Sequence, residues 1–254
     1  ENNSRYLECN GAGERAGLYY TCTNSYLTAG ELAYIVDNSE SQLLVTSAAK
    51  LPMAREALAM CPRVRRCLVV GGGDAVRALD DAKFVDFADA VAAFPATPIA
   101  DEWLGTPMLY SSGTTGRPKG ILRPLPENPP SQPLPLFRFL NGLWQCEEGI
   151  RYLSPAPLYH SAPQANVALA IRNGGTVVIM EHFDAEHYLQ LVQAHRITHT
   201  QLVPTMFSRM LKLPEAVRRR HDLSSLKYVL HGAAPCPATV KRGMIDWLGP
   251  IVWE

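Results

Sequence analysis

The stretch "TPMLYSSGTTGRPKGILRP" at residues 106–124 places a glycine-rich loop between two short apolar segments. "TPMLY" and "GILRP" have the composition of strands, so we predict that the glycines lie at the tip of a strand-loop-strand hairpin. A Walker P-loop has the order Gly, four residues, Gly-Lys-Ser/Thr, and it opens a helix. Here Lys119 precedes its glycine and follows Pro118, so the sequence excludes a Walker P-loop.

The residues of this loop nevertheless suit an anion such as phosphate. Gly113, Gly116 and Gly120 allow backbone N–H groups to approach a ligand closely. Lys119 and Arg117 supply positive charge, and four hydroxyl groups add donors: Ser111, Ser112, Thr114 and Thr115. The alternative is a surface turn that is rich in Ser, Thr and Gly for conformational reasons alone.

Composition restricts the class of protein. The 254 residues are 47% hydrophobic, which permits one large or two small domains with substantial cores. Lys plus Arg and Asp plus Glu number 24 each, so no net field attracts nucleic acid. Six scattered cysteines, no export signal and no apolar run of membrane-spanning length indicate a cytoplasmic protein. The chain starts at Glu1 and ends abruptly at "GPIVWE", so we expect a fragment of a longer protein.

Strand-like and helix-like patterns alternate along the chain and predict an α/β fold with parallel sheets covered on both faces. In "TAGELAYIVDNSES", Thr28 and Glu31 form a capping box for a helix that buries Leu32, Ile35 and Val36. We predict a first α/β subdomain over 1–122, which ends in the hairpin, and a second, incomplete one over 137–254. Between them, "RPLPENPPSQPLPL" at 123–136 is predicted to be an extended connector, because its prolines disfavour helix and central strand.

The string from Tyr110 to Gly120 closely resembles the signature loop of the adenylate-forming (AMP-binding) enzymes. This superfamily contains acyl-CoA synthetases, luciferases and peptide-synthetase adenylation domains. Three further segments follow in the family's order: "PLYHSAP" at 157–163, "LVPTMFSRML" at 202–211 and "HGAAPCP" at 231–237. The resemblance is nearest to the fatty-acid-CoA ligase branch, and it implies part of the large N-terminal domain without the mobile C-terminal domain.

The resemblance implies an ATP-dependent acyl-CoA ligase that acts on a fatty or related carboxylic acid. The acid would be adenylated with release of pyrophosphate, and the acyl group would then pass to the thiol of coenzyme A. Mg²⁺ is implied as well, with its protein ligand in a family segment beyond Glu254. We therefore expect the 254-residue chain alone to be inactive.

The resemblance also implies roles for individual residues. His160 would line the acyl channel near the reacting carboxylate, and Lys119, Thr115 and His160 would be the catalytic residues. The phosphate-binding residues would be Ser111, Ser112, Gly113, Thr114, Thr115, Gly116 and Lys119. The residues against the adenine would be Gly232, Ala233, Ala234 and Pro235.

Several alternatives remain open at this point. The chain could be a non-catalytic remnant that binds nucleotide, or an amino-acid-activating relative, although no Asp stands near His160 to pair with a substrate ammonium. "VVGGGDAV" lacks the third glycine of a dinucleotide fingerprint, and His195 and His199 fit a zinc pattern poorly. The composition does not determine oligomeric state or peripheral membrane contact.

Overall fold

The computed structural model describes residues 1–111, 116–132 and 134–254, and the chain divides into two compact units. Unit 1 comprises Glu1 and Arg5–Gln132, and unit 2 comprises Asn2–Ser4 and Pro133–Glu254. The predictions for Ser112, Gly113, Thr114 and Thr115 lie outside the described residues.

Unit 1 is built on a small parallel sheet in which β2 (Leu43–Ser47), β3 (Arg66–Val70) and β4 (Phe84–Asp86) are neighbours in that order. A parallel pair, β1 (Tyr19–Tyr20) with β5 (Thr106–Pro107), and an antiparallel hairpin, β6 (Leu109–Ser111) with β7 (Lys119–Ile121), accompany it. The elements described in chain order are α1 Ser4–Arg15, β1 Tyr19–Tyr20, α2 Ala29–Asn38, β2 Leu43–Ser47, a 3-10 turn Ala48–Lys50, α3 Leu51–Leu58, β3 Arg66–Val70, α4 Gly73–Arg77, β4 Phe84–Asp86, α5 Phe87–Ala92, β5 Thr106–Pro107, β6 Leu109–Ser111 and β7 Lys119–Ile121.

The capping box predicted for α2 is present. The Thr28 hydroxyl accepts from the Glu31 backbone N–H, and the Glu31 carboxylate accepts from the Thr28 backbone N–H at 2.8 Å. Leu32, Ile35 and Val36 are buried, as the helical spacing predicts. The capping box therefore fixes the residue at which α2 begins, and the helix presents one apolar face to the core of unit 1.

Unit 2 contains a five-stranded parallel sheet with the strand order β12 (Val252–Trp253), β11 (Tyr228–His231), β10 (His199–Leu202), β8 (Arg151–Ser154) and β9 (Thr176–Ile179). Its described elements are α6 Pro135–Leu143, β8 Arg151–Ser154, α7 Ser161–Arg172, β9 Thr176–Ile179, α8 Ala185–His195, β10 His199–Leu202, α9 Pro204–Leu211, α10 Glu215–Arg220, β11 Tyr228–His231, α11 Ala238–Leu248 and β12 Val252–Trp253.

Helices cover both faces of this sheet, so the predicted fold class is confirmed. On one face Leu153, Leu202 and Val229 join a core with residues of α8, α9 and α11. On the other face Tyr152, His199 and Leu230 lie against residues of α7. Burial on both faces is the usual arrangement for parallel strands, because their connections are helices that return across the sheet.

Helices α1 and α6 are among those that the sequence patterns did not predict. Helix α6 begins at Pro135, inside the predicted connector, because a proline in the first helical turn loses no hydrogen bond. Helix α1 includes Gly11 and Gly13, which disfavour helix locally. Gly13 is retained because a Cβ there would lie 2.9 Å from the Tyr20 ring, so the close approach of β1 requires it. None of the described helices is long and apolar enough to cross a membrane.

Candidate functional site

The glycine-rich loop is carried by an antiparallel hairpin, as predicted. Leu109 pairs with Ile121, Tyr110 with Gly120, and Ser111 with Lys119. Ser111 and Lys119 are thus opposite each other where the two strands open into the loop, and both are exposed.

Helix α2 holds the base of this hairpin. The Tyr34 hydroxyl donates to the backbone carbonyl of Pro118 at 3.0 Å, and the Tyr110 hydroxyl donates to Asn38 Oδ1 at 2.7 Å. The Arg117 guanidinium lies 5.1 Å from the centre of the Tyr34 ring. Tyr110 of β6 and Pro118, which precedes β7, are therefore both bonded to one helix of the same unit.

The two described glycines of the loop are required for different reasons. A Cβ at Gly120 would lie 2.6 Å from Met108 Cε and 3.0 Å from Tyr110 Cζ, so side-chain packing accounts for this glycine. Gly116 has a φ of 99° and open space around the position of a Cβ. Backbone conformation accounts for Gly116, and its open surroundings leave room for a ligand.

Positive charge at the hairpin is available to an anion. Lys119 and Arg117 are exposed, and no carboxylate among the residues with described positions forms an ion pair with either side chain. An exposed cation without a carboxylate partner keeps its full charge for a ligand.

In unit 2, three of the quoted segments meet at one edge of the sheet. "PLYHSAP" follows β8, "VPT" follows β10, and "HGAAP" begins at the last residue of β11. These strands are neighbours in the order β11-β10-β8 and are parallel, so their carboxyl ends lie at the same edge. Open parallel sheets bind ligands at this edge.

His160 lies at the entrance to α7, in the position of its N-cap, but its side chain makes no cap hydrogen bond. The ring is exposed and lies 4.3 Å from the Tyr159 ring. Desolvation by the surrounding atoms lowers the pKa of its imidazole. The ring is therefore neutral near pH 7 and can donate one hydrogen bond to a carboxylate.

The "HGAAP" loop consists largely of small residues, is exposed from Ala233 onwards, and has a strained backbone at one residue. A Cβ at Gly232 would contact nothing within 4 Å, so packing does not require a glycine there. Ala233 has a φ of 70°, which is uncommon for a residue with a side chain. Ala233, Ala234 and Pro235 are exposed. Strain of this kind persists where the surrounding structure enforces it, often at ligand sites.

Sequence reasoning missed a charged cluster beside this loop. Glu254 accepts from Lys241 Nζ at 2.6 Å, and this ion pair lowers the pKa of Glu254. His231 is buried, lies edge-on to Phe207 at 5.3 Å, and neither of its ring nitrogens has a partner in the described parts of the chain. Burial lowers the pKa of His231. No spacing signal in the sequence connects these three residues.

The structure gives other roles to residues of two weak sequence patterns, the zinc pattern at His195 and His199 and the dinucleotide pattern "VVGGGDAV". Both ring nitrogens of His199 are engaged, Nδ1 with Thr198 Oγ1 at 2.9 Å and Nε2 with the Trp144 carbonyl at 3.0 Å. Asp86 accepts from the Gly73 backbone N–H at 2.7 Å, so the donor that a dinucleotide phosphate would need is already used. Within the described ranges no group of three His, Cys, Asp or Glu residues could hold a metal ion.

The two α/β units, the Ser/Thr/Gly hairpin and the shared sheet edge define an adenylate-forming enzyme fold. The sequence model of the AMP-binding enzyme family matches residues 1–254, and the chain belongs to that family.

Two similar proteins are CoA ligases. The chain is 30% identical to the medium-chain acyl-CoA ligase Mig of Mycobacterium avium over 86% of its own length and 42% of that protein. It is 32% identical to 4-coumarate–CoA ligase 5 of Oryza sativa subsp. japonica over 88% of its own length and 40% of that protein. The chain therefore spans less than half the length of these relatives.

Solved structures agree on the fold. The amide bond synthetase McbA of Marinactinospora thermotolerans superimposes with a TM-score of 0.77 at 23% identity, over 99% of this chain and 47% of that one. MbtA of Mycobacterium smegmatis gives a TM-score of 0.78 at 23% identity, over 100% of this chain and 45% of that one.

Proposed function

We propose that the protein containing this chain is an ATP-dependent acyl-CoA ligase for a fatty or related carboxylic acid, of medium to long chain or polycyclic. The observation that carries the proposal is the meeting of "PLYHSAP", "VPT" and "HGAAP" at one edge of a parallel sheet. Membership of the AMP-binding family and similarity to CoA ligases support it.

In the first half-reaction a carboxylate oxygen of the acid attacks the α-phosphorus of ATP. The bond from that phosphorus to the bridging oxygen breaks, and pyrophosphate leaves with the electron pair. A carboxylate is already a nucleophile, so the protein has to align the reactants and stabilise the charge that develops on the phosphates. Residues 111–116 and Lys119 supply this stabilisation, and one well-placed donor is worth about 2.7–4 kcal/mol.

The sheet edge of unit 2 positions the other reacting groups. The adenine lies against Gly232–Pro235, where the open space at Gly232 admits a flat ring. His160 donates to the carboxylate of the acid from its exposed position before α7. In the second half-reaction the thiol of coenzyme A attacks the acyl carbon, and AMP leaves with the former carboxylate oxygen.

Mg²⁺ would neutralise charge on the phosphates during the first half-reaction. Because no three-residue group within the described ranges could hold a metal ion, we assign it no protein ligand here. We place the protein in the cytoplasm, since all six of its cysteines are free thiols, as in a reducing compartment.

The proposal is tested by carboxylate-dependent exchange of labelled pyrophosphate into ATP with the full-length protein. Lys119→Ala and Thr115→Ala should each slow exchange by about a hundredfold or more, since each removes a group that stabilises the transition state. Arg123→Ala is the matched control, because this exposed cation follows the same hairpin strand. Exchange that Lys119→Ala and Thr115→Ala leave unchanged would refute the phosphate-loop assignment, and ATP binding without exchange would indicate a non-catalytic nucleotide-binding protein.

A further inference from the structure

Two buried polar side chains, those of Ser154 and Gln201, lie at the carboxyl end of the sheet face that carries Tyr152 and His199. Successive residues of a strand point to opposite faces, and Leu153 and Leu202 belong to the core formed with α8, α9 and α11. Ser154 and Gln201 therefore point to the other face. Their exposed fractions are only 1% and 5%.

Each of these side chains has a polar atom without a hydrogen-bond partner. Across the described ranges of the chain, nothing bonds to Ser154 Oγ or to Gln201 Oε1. Gln201 Nε2 donates to the Leu202 carbonyl at 3.2 Å. A carbonyl can only accept, so the nitrogen of the amide must face it and the oxygen is the free end.

An unpaired buried acceptor destabilises a fold, so its presence in a native protein needs an explanation. Replacement by an apolar side chain of similar size would remove this destabilisation. Groups that reduce stability in this way are typical of sites that have to bind a ligand.

The position of the pair suits the substrate of the proposed reaction. Ser154 is the last residue of β8, and the chain continues from it into "PLYHSAP". Gln201 is the penultimate residue of β10, which lies between β8 and the strand that leads into "HGAAP". Both residues thus lie at the sheet edge between the segment that contains His160 and the adenine loop.

The surroundings of the pair are largely apolar. Gln201 is in register with Leu230, and on this face Leu230 and Tyr152 lie near Leu169 and Ala170 of α7. Apolar walls with a few unpaired polar groups are the usual composition of a small-molecule site.

We propose that Gln201 and Ser154 recognise a hydroxyl group on the carboxylic acid, which makes the substrate a hydroxylated acid; this rests on the proposed ligase function. A hydroxyl group can donate to Gln201 Oε1 and accept from Ser154 Oγ–H. An unsubstituted alkyl or aryl group can do neither and leaves both protein atoms unpaired. Sites built in this way discriminate strongly against an analogue that lacks the hydroxyl.

Pyrophosphate exchange by the full-length protein with matched acids tests this inference. The pairs are phenylpropanoate with its para- and meta-hydroxy derivatives, and octanoate with its omega-hydroxy derivative. At least one hydroxylated acid should exceed its parent by about tenfold or more in kcat/KM. Gln201→Leu and Ser154→Ala should each reduce that preference about tenfold. The kcat/KM for the parent acid should stay within about twofold of the wild-type value.

The unfolding midpoint separates recognition from a structural role. Gln201→Leu should unfold within about 2 °C of the wild-type temperature, because removal of the unpaired acceptor offsets the loss of the hydrogen bond to the Leu202 carbonyl. Thr200→Val is the matched control: Thr200 is buried on the opposite face, and its hydroxyl donates to the Leu153 carbonyl at 2.9 Å, so this change should lower the midpoint.

Two results would overturn the inference and leave the ligase function intact: equal use of hydroxylated and parent acids, or a Gln201→Leu midpoint that falls as far as that of Thr200→Val. If none of these or other acids supports exchange, the ligase function itself fails and the inference fails with it.

Discussion

At the scale of single residues, the loop after β11 contains a glycine that the fold does not require but that a ligand would explain. Gly232 has neither a left-handed backbone nor a neighbour that a Cβ would strike. Ala233, the next residue, adopts a left-handed φ although it is not glycine. A glycine that the fold does not require, next to a residue that the fold strains, is most simply explained by a ligand close to the backbone.

Gly232→Leu tests this explanation. The unfolding midpoint should stay within about 2 °C of wild type, because the new side chain enters open space. The KM for ATP in pyrophosphate exchange should rise about tenfold or more, because the side chain occupies the position of the adenine. Gly142→Leu is the control, since Gly142 has equally open surroundings in α6 and no proposed ligand. An unchanged KM in Gly232→Leu would place the adenine elsewhere.

His231 should make stability depend on pH. Its folded pKa lies below the ordinary value of 6.5, mainly because of burial, so below that pH the unfolded chain binds more protons than the folded chain. The stability that neutral His231 contributes is fully present above about pH 6.5 and is lost as the pH falls towards the folded pKa. The urea midpoint of His231→Phe should therefore fall less between pH 7 and pH 5 than that of wild type. Equal slopes would show that His231 is not a source of the acid sensitivity.

At the scale of elements, α2 supports the hairpin that carries the glycine-rich loop. Its capping box sets its start, and Tyr34 and Asn38 on it bond to the two sides of the hairpin base. A site on a loop is precise only when rigid elements hold its ends. Under the proposed function, α2 would therefore fix the two strand ends from which the phosphate-binding residues extend.

Tyr34→Phe removes one of these supports without changing the shape of the side chain. The loss of the hydrogen bond to the Pro118 carbonyl should destabilise unit 1 by about 0.5–1.5 kcal/mol. The looser loop should raise the KM for ATP about twofold to tenfold. Tyr26→Phe is the matched control, because Tyr26 is 71% exposed and its hydroxyl makes no hydrogen bond to the part of the chain that is described. Equal effects of the two variants would show that Tyr34 does not support the loop.

Much of the fold follows from local patterns, and the exceptions have physical causes. Thr28 and Glu31 mark the start of α2, and the alternation of strands and helices predicts both parallel sheets. Helix α1 contains Gly11 and Gly13, which disfavour helix, so no local pattern predicts it. The segments at the candidate site could be predicted from their sequence motifs. The pairing of Lys241 with Glu254 could not, because only tertiary packing brings helix α11 and the residue after β12 together.

At the scale of the whole molecule, the chain matches relatives more than twice its length. Under the proposed function, the hairpin of unit 1 would bind the phosphates, and the sheet edge of unit 2 would bind the adenine and the acid. We expect the 254-residue chain expressed alone to form no detectable thioester, in contrast to the full-length protein. Mass spectrometry of the acyl-CoA product measures this, and robust thioester formation by the short chain would contradict the expectation.

The most direct test of the proposed ligase function follows one oxygen atom. The full-length protein is given ATP, coenzyme A and a carboxylic acid labelled with oxygen-18 in its carboxylate, and the phosphorus-containing products are analysed by mass spectrometry. Attack of the carboxylate on the α-phosphorus predicts one labelled oxygen in AMP and none in pyrophosphate. Label in inorganic phosphate together with formation of ADP would instead show an acyl-phosphate intermediate, and it would contradict the adenylation proposed here.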